Sequence, residues 1–311
     1  MMSTLKIGIP KALLFYKYGD LWINFFEELG LDIVISPNTN LEILENGSKF
    51  SIDESCLSLK IFMGHVYYLL DKCDYVLVPR IVCLKKHEKL CTNFSALYDL
   101  TRNTFDKNII HYNIDVGKKE DEFYAFVTMG LELGFKYRDI VKAYQKAKKK
   151  EVLIKERKIS RQKSLVASTS KIKILLAGHS YNLYDEFIGK PITNLLTSNN
   201  IEVLYSDLYD QKYLETEVKK ISPSNYWTYN KEIIASISHY QENIDGIILI
   251  TTFPCGPDSL SNEMIIRNVK IPIINIIVDD SSGEAGIITR IESFIDILEE
   301  RRNHHNDFKN Y

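Results

Sequence analysis

The sequence predicts an α/β protein: two similar Rossmann-like domains with parallel sheets, facing each other across a cleft. Three observations carry that expectation. Short apolar runs rich in Ile, Val and Leu alternate with longer stretches of helical periodicity, the pattern of parallel βα units. The order of these runs in the first half recurs in the second, and so does their spacing: Ile7 to Tyr75 is 68 residues and Leu175 to Ile247 is 72. A chain of 311 residues also divides more naturally into two domains than one.

Taken in order, Lys6-Ile7-Gly8-Ile9-Pro10 reads as a first strand ended by proline. A helix follows through Trp22, Phe25, Phe26 and Leu29, and Gly30 stops it as a left-handed cap would. Residues 32–36 form the second strand. A polar stretch leads to Asp53-Glu54-Ser55-Cys56 and then to an amphipathic helix, whose apolar positions Leu59, Phe62, Met63, Val66, Leu69 and Leu70 follow i, i+3, i+4 spacing. Residues 75–79 are a third strand, and residues 80–91 a long loop or short helix beyond it. A fourth strand covers residues 108–112 and ends near Asp115, with a helix from about residue 120 to 133.

Residues 136–168 are helical and basic, a connector between an N-terminal domain of residues 1–135 and a C-terminal domain of residues 169–311. A solvated face is the plain reading of its charge, and docking of an acidic partner the alternative. In the second half, residues 173–179 correspond to the first strand, 201–205 to the second, 246–250 to the third and 271–279 to the fourth. Each third strand is preceded by an aspartate, Asp74 or Asp245.

The formal charge of -2 gives no global reason to expect nucleic acid or an anionic membrane as partner. No export signal opens the chain and no apolar run reaches the roughly 18 residues of a membrane span, so a cytoplasmic location is expected. Five cysteines, Cys56, Cys73, Cys83, Cys91 and Cys255, then argue against a disulfide framework.

Chemistry centres on Thr251-Thr252-Phe253-Pro254-Cys255-Gly256-Pro257-Asp258-Ser259, a loop stiffened by two prolines just past a buried strand, where open α/β sheets bind ligands. Cys56 falls at or before a helix start, where the macrodipole and free backbone donors favour thiolate. Cys91 lies beyond the third strand. On the duplicated plan these three share the carboxyl side of the sheets and could meet across the cleft. They are not a compact zinc signature, for no C-x-x-C pair occurs and they lie 35 and 164 residues apart. Cys73 and Cys83 read as small buried hydrophobes. Glu54, His179 and Glu284 stand as the candidate catalytic side chains. Glu54 also suits a helix-start carboxylate, and His65 reads as a satisfied, partly buried histidine. Asp280-Ser281-Ser282-Gly283-Glu284-Ala285-Gly286 could hold an anion or simply cap the last helix. Neither a Gly-x-Gly-x-x-Gly nor a Gly-x4-Gly-Lys-Ser/Thr motif is present.

Ile7-Gly8-Ile9-Pro10-Lys11-Ala12-Leu13, Asp53-Glu54-Ser55-Cys56-Leu57, Val78-Pro79-Arg80, Cys91-Thr92-Asn93-Phe94, Ala177-Gly178-His179, Cys255-Gly256-Pro257-Asp258-Ser259 and Gly283-Glu284-Ala285-Gly286 together resemble the acyl-CoA dehydratase activase-associated domain family. That family is related to the subunits of 2-hydroxyacyl-CoA dehydratases and to double-cubane cluster proteins. The resemblance implies that Cys56, Cys91 and Cys255 bind an iron–sulfur cluster, a 4Fe–4S cube with one non-cysteine iron site or a double-cubane variant. It further implies a dehydratase-like component that accepts low-potential electrons from an ATP-dependent activase carrying its own cluster, for reduction or dehydration of a small substrate. A related dehydratase subunit or a second copy are the other partners it suggests. Thr92 and Ser58 stand where the family pattern leads one to expect prolines, which bears on substrate choice more than on the thiolates. A non-catalytic two-domain binding or assembly protein with incidental thiols is the competing expectation, with a mononuclear zinc hydrolase a distant third.

Overall fold

The computed structural model describes residues 5–168, 171–280 and 283–309. The chain forms two compact units: Met1–Arg157 with Tyr226–Tyr229, and Lys158–Asn225 with Asn230–Tyr311.

The first unit runs β1 (Lys6–Ile9), α1 (Phe15–Glu28), β2 (Asp32–Ile35), α2 (Leu41–Lys49), α3 (Leu57–Leu69), β3 (Tyr75–Cys83), α4 (Thr92–Thr104), β4 (Ile109–Asp115), α5 (Glu122–Glu132) and the start of α6 (Tyr137–Ala167). Its four strands are parallel in the order β2-β1-β3-β4, with Ile7 beside Ile33 and Val78 beside His111. Parallel neighbours need crossovers, and the helices between the strands supply them. Gly30 ends α1 at φ 76°, where a side chain would be strained. Trp22, Phe25, Tyr112 and Phe126 are buried together, with Phe25 and Phe126 edge to face at 4.6 Å.

The second unit takes the end of α6 and continues with β5 (Lys173–Ala177), α7 (Ser180–Leu183), α8 (Gly189–Ser198), β6 (Glu202–Tyr205), α9 (Leu214–Ile221), α10 (Thr228–Tyr240), β7 (Gly246–Thr252), α11 (Gly256–Asn268), β8 (Ile273–Val278) and α12 (Glu284–Lys309). Its sheet, β6-β5-β7-β8, is again parallel. Every residue of β5 and β7 is buried, as continuous apolar strands covered on both faces should be.

The repeat extends to single hydrogen bonds. Asp74 Oδ2 accepts from the Lys6 N–H at 2.7 Å while the Asp74 N–H donates to the Lys6 carbonyl, and Asp245 does the same with Lys173. Ser36, just past β2, accepts the Lys11 N–H; Ser206, just past β6, accepts the Gly178 N–H. Asn200, after α8, takes the left-handed role of Gly30 at φ 61°.

Several local expectations change. The polar stretch after β2 holds α2, capped by Asn40, whose side chain accepts the Ile43 N–H. β3 continues through Pro79 and Arg80 to Cys83, so the expected loop begins later. Pro79 lies in an interior strand, paired in register with Tyr112. β7 likewise runs on through Thr251 and Thr252. The division between units falls within α6, between Arg157 and Lys158. Among the described residues no helix is long and apolar enough to cross a membrane.

Candidate functional site

Cys56, Cys91 and Cys255 share one local position: each is the N-cap of a 13-residue helix, α3, α4 and α11 respectively. The chain stops being extended there because the cysteine carbonyl already accepts the first helical bonds, from Leu59, Phe94 and Ser259. None of the three sulfurs caps its own helix. All three are partly exposed, at helix starts where free backbone N–H groups gather. Cys91 and Cys255 are topological equivalents, each following the third strand of its sheet.

Cys73 and Cys83 differ in kind. Cys73 is buried against Gly8, and its thiol donates to the Leu69 carbonyl at 3.2 Å. Burial pushes that thiol up, against the opposing pull of Lys107. Cys83 is buried too, yet it is more than a small hydrophobe: its thiol donates to Asp115 Oδ1 at 3.3 Å and its sulfur accepts the Gly117 N–H.

In the first unit, Asn93, the second residue of α4, donates its amide to the Cys56 sulfur at 3.7 Å. That bond brings the start of α4, and hence Cys91, to the start of α3. Arg80 fixes α4 from the sheet side, donating to the Ser95 carbonyl at 3.1 Å and to Asn113 Oδ1 at 2.9 Å. The other side of α3 is set by glycine contacts with α2: a Cβ on Gly64 would lie 1.9 Å from the Ile43 carbonyl oxygen, and one on Gly47 1.8 Å from that of Lys60. The next residue, His65, is fully buried between Ser36 Oγ (2.8 Å to Nδ1) and Thr39 Oγ1 (3.0 Å to Nε2). Burial, with help from the Lys11 charge, lowers its pKa to about 3, so the imidazole is neutral and structural.

In the second unit, the expected polar loop after β5 is a buried turn of helix with His179 as its N-cap. His179 stacks on Tyr181, and its Nε2 lies 2.9 Å from Asp258 Oδ1. Asn230 Nδ2 donates to the same oxygen at 2.8 Å. Burial opposes the charge of Asp258, but His179 and the donated hydrogen bonds prevail and hold its carboxyl below the usual range. The structure thus joins His179 and Asn230 at Asp258, three residues after Cys255 in the sequence. Asp258 is legible in sequence only as the third residue of α11; Asn230, from a distant helix, gives no sequence signal, and neither does the Asn93 contact.

Glu54 is exposed two residues before Cys56. Glu284 is the first residue of α12, and its side chain, like Ser281 and Ser282 of the same motif, lies outside the described residues. Among the described residues no group of three or more His, Cys, Asp or Glu side chains is arranged to hold a metal ion.

A family model described as a CoA enzyme activase uncharacterised domain (DUF2229) matches residues 6–208, more than half of the chain. Comparison with curated proteins gives no match. Among solved structures, the chain aligns with the SBP FpvC from Pseudomonas aeruginosa in complex with Mn2+ (10% identity, TM-score 0.32, 96% of this chain and 100% of that one). It also aligns with ZnuA (10%, 0.27, 97% and 99%) and with the UDP-GlcNAc 2-epimerase of Methanocaldococcus jannaschii (13%, 0.25, 95% and 92%). Likeness at this level carries no functional argument.

Proposed function

Because the chain belongs to the family of CoA enzyme activase uncharacterised domains, we propose that it is the electron-accepting component of an activase-linked system, holding an iron–sulfur cluster on Cys56, Cys91 and Cys255. The observation that carries this reading is the sorting of the five cysteines. Three are partly exposed N-caps of long helices, and two are buried with their thiols hydrogen-bonded inside the first unit.

The donor set suits such a group in kind: three partly exposed thiols, soft sulfur ligands, at helix starts. When bound, the cluster would supply low-potential one-electron or Lewis-acid chemistry, with one iron free of cysteine. The residues of the chain have their own tasks. The Asn93 amide donates to the Cys56 sulfur and so orients it, and Arg80 and the Gly47–Gly64 contact fix the two helix starts that carry Cys56 and Cys91. Of the acid–base candidates, His179 serves Asp258, whereas Glu54 has the exposure a proton donor to a small substrate needs. The sequence has no phosphate-binding loop of the Walker type, so ATP hydrolysis falls to a separate activase with its own cluster. Reduction or dehydration of a small acyl-CoA-type substrate is the reaction proposed.

One observation favours a second reading, a non-catalytic two-domain binding or assembly protein in the same family context: the described side chains do not form a ready-made metal cage. Anaerobic reconstitution with ferrous iron and sulfide separates the two. The cluster reading expects a brown protein with about four irons and matching sulfide per chain. A colourless protein with background iron supports the second reading.

A further inference from the structure

We propose that Arg80 is an anion-binding residue: its guanidinium, held at the carboxyl end of the first sheet, takes an oxyanion of the small substrate. The role toward a substrate rests on the reading given above, whereas the anion site itself lies wholly within the first unit and does not.

Arg80 lies half-buried in β3 and pairs in register with Asn113 of β4. Its Nε donates to the Ser95 carbonyl at 3.1 Å and its Nη1 to Asn113 Oδ1 at 2.9 Å. Both acceptors are neutral. A charge drawn partly out of water ordinarily takes an opposite charge as partner, and here a carboxylate stands one side chain further on, where Glu120 Oε2 accepts from Asn113 Nδ2 at 2.7 Å. Asn113 thus gives its oxygen to the cation and its amide to the anion, and the two charges are linked through it instead of paired. Among the described residues no carboxylate forms an ion pair with Arg80. Its two bonds leave both hydrogens of Nη2 and one of Nη1, donors of the kind that grip carboxylate or phosphate oxygens.

Holding α4 in place does not call for this charge. The clasps made by Asp74 and Asp245 put the two sheets in register, so Arg80, six residues after the first aspartate, corresponds to Thr251, six after the second, and Asn113 corresponds to Ile277. Thr251 also ties its strand to the helix that follows, accepting the Asn262 amide of α11 at 2.8 Å. There the tie is a neutral, buried pair. The first unit does the same mechanical work with a cation, whose charge is surplus to the packing. It sits at the strand end where open α/β sheets bind ligands. The bond to Ser95 also sets it about one turn, roughly 5.4 Å, along α4 from Cys91.

Site-resolved protection from phenylglyoxal, a reagent for guanidinium groups, tests the assignment on the full-length, cluster-free protein. Malonate and inorganic phosphate are the probes, with chloride at matched ionic strength as the control. Modification of Arg80 is compared by mass spectrometry with that of the exposed Arg138 and Arg157. For a site of about millimolar affinity, about 10 mM probe should slow modification of Arg80 roughly tenfold, because the free fraction falls as 1/(1 + [L]/Kd), while Arg138 and Arg157 keep their rates. Stronger protection by malonate marks a carboxylate as the group bound, and stronger protection by phosphate marks a phosphate; either supports the site. The favoured probe should also raise the urea midpoint of the wild type, and Arg80→Gln, which keeps an amide donor but no charge, should lose that shift. No slowing at Arg80 overturns the proposal, as does equal slowing at all three arginines or an undiminished midpoint shift in Arg80→Gln. Protection of the wild type decides the matter if Arg80→Gln does not fold. Anaerobic reconstitution of the wild type tells the two readings apart: iron uptake without protection of Arg80 sinks the anion site alone, and protection in a protein that takes up no iron sinks the cluster reading alone.

Discussion

Acid should weaken the first unit through one residue, His65. Its imidazole sits fully buried on α3, with Nδ1 on Ser36 and Nε2 on Thr39. Ser36 already accepts the Lys11 N–H and so can give its own proton to Nδ1, which leaves Nε2–H to face Thr39. A second ring proton would put a donor against that hydroxyl proton and a charge in a site without solvent. The pKa is accordingly lowered from 6.5 to about 3. Because the folded value lies below the unfolded one, the contribution is complete above pH 6.5 and is lost as the pH falls from there toward 3. At about 1.4 kcal/mol per pH unit, the loss is roughly 2 kcal/mol at pH 5 and tends toward about 5 kcal/mol near pH 3. Both tryptophans, Trp22 and Trp227, belong to the first unit, so urea unfolding followed by tryptophan fluorescence reports on it. Between pH 7 and pH 5 the wild type should lose about 2 kcal/mol more than His65→Gln, whose amide does not titrate. Equal losses in the two proteins would refute the assignment of His65 as a neutral structural hub.

Gly64→Ala should destabilise the first unit by about 1–3 kcal/mol, because the new methyl meets the Ile43 carbonyl oxygen; a glycine that was merely helical would instead gain about 1 kcal/mol, so the sign of the urea-midpoint shift decides. Asp245→Ala should cost about 1–2 kcal/mol and speed exchange of the Lys173 amide, and Asp74→Ala should cost less, since the bond it removes is exposed whereas that of Asp245 is part-buried.

The repeated strand pattern made the architecture readable, since fully buried parallel strands are continuous apolar runs and all eight appear where such runs lie. The Asp74 and Asp245 signal marked the same clasp in both units. Strand ends were less legible: β3 passes through Pro79 and Arg80, residues that read as a stop, because Arg80 finds Asn113 and Ser95 and the pairing with β4 continues beyond it. α2 was hidden because Leu41, Ile43 and Leu44 are its only large apolar residues and its packing relies on Gly47, which propensity counts against a helix. At the candidate site the helix start at Cys56 could be anticipated, whereas Cys255 read as part of a stiffened loop and is instead the N-cap of α11. The side-chain partners could not, for Asn93 reaches the Cys56 sulfur, and Asn230 and His179 reach Asp258, only through tertiary packing.

The central claim is that the three helix-start cysteines, and not the two buried ones, hold the cluster. Iron and sulfide content with EPR on anaerobically reconstituted Cys255→Ser and Cys73→Ser tests it most directly. Cys255→Ser should lose the wild-type cluster signal and most of its iron, while Cys73→Ser should keep both. Equal retention or equal loss in two folded variants would contradict the account.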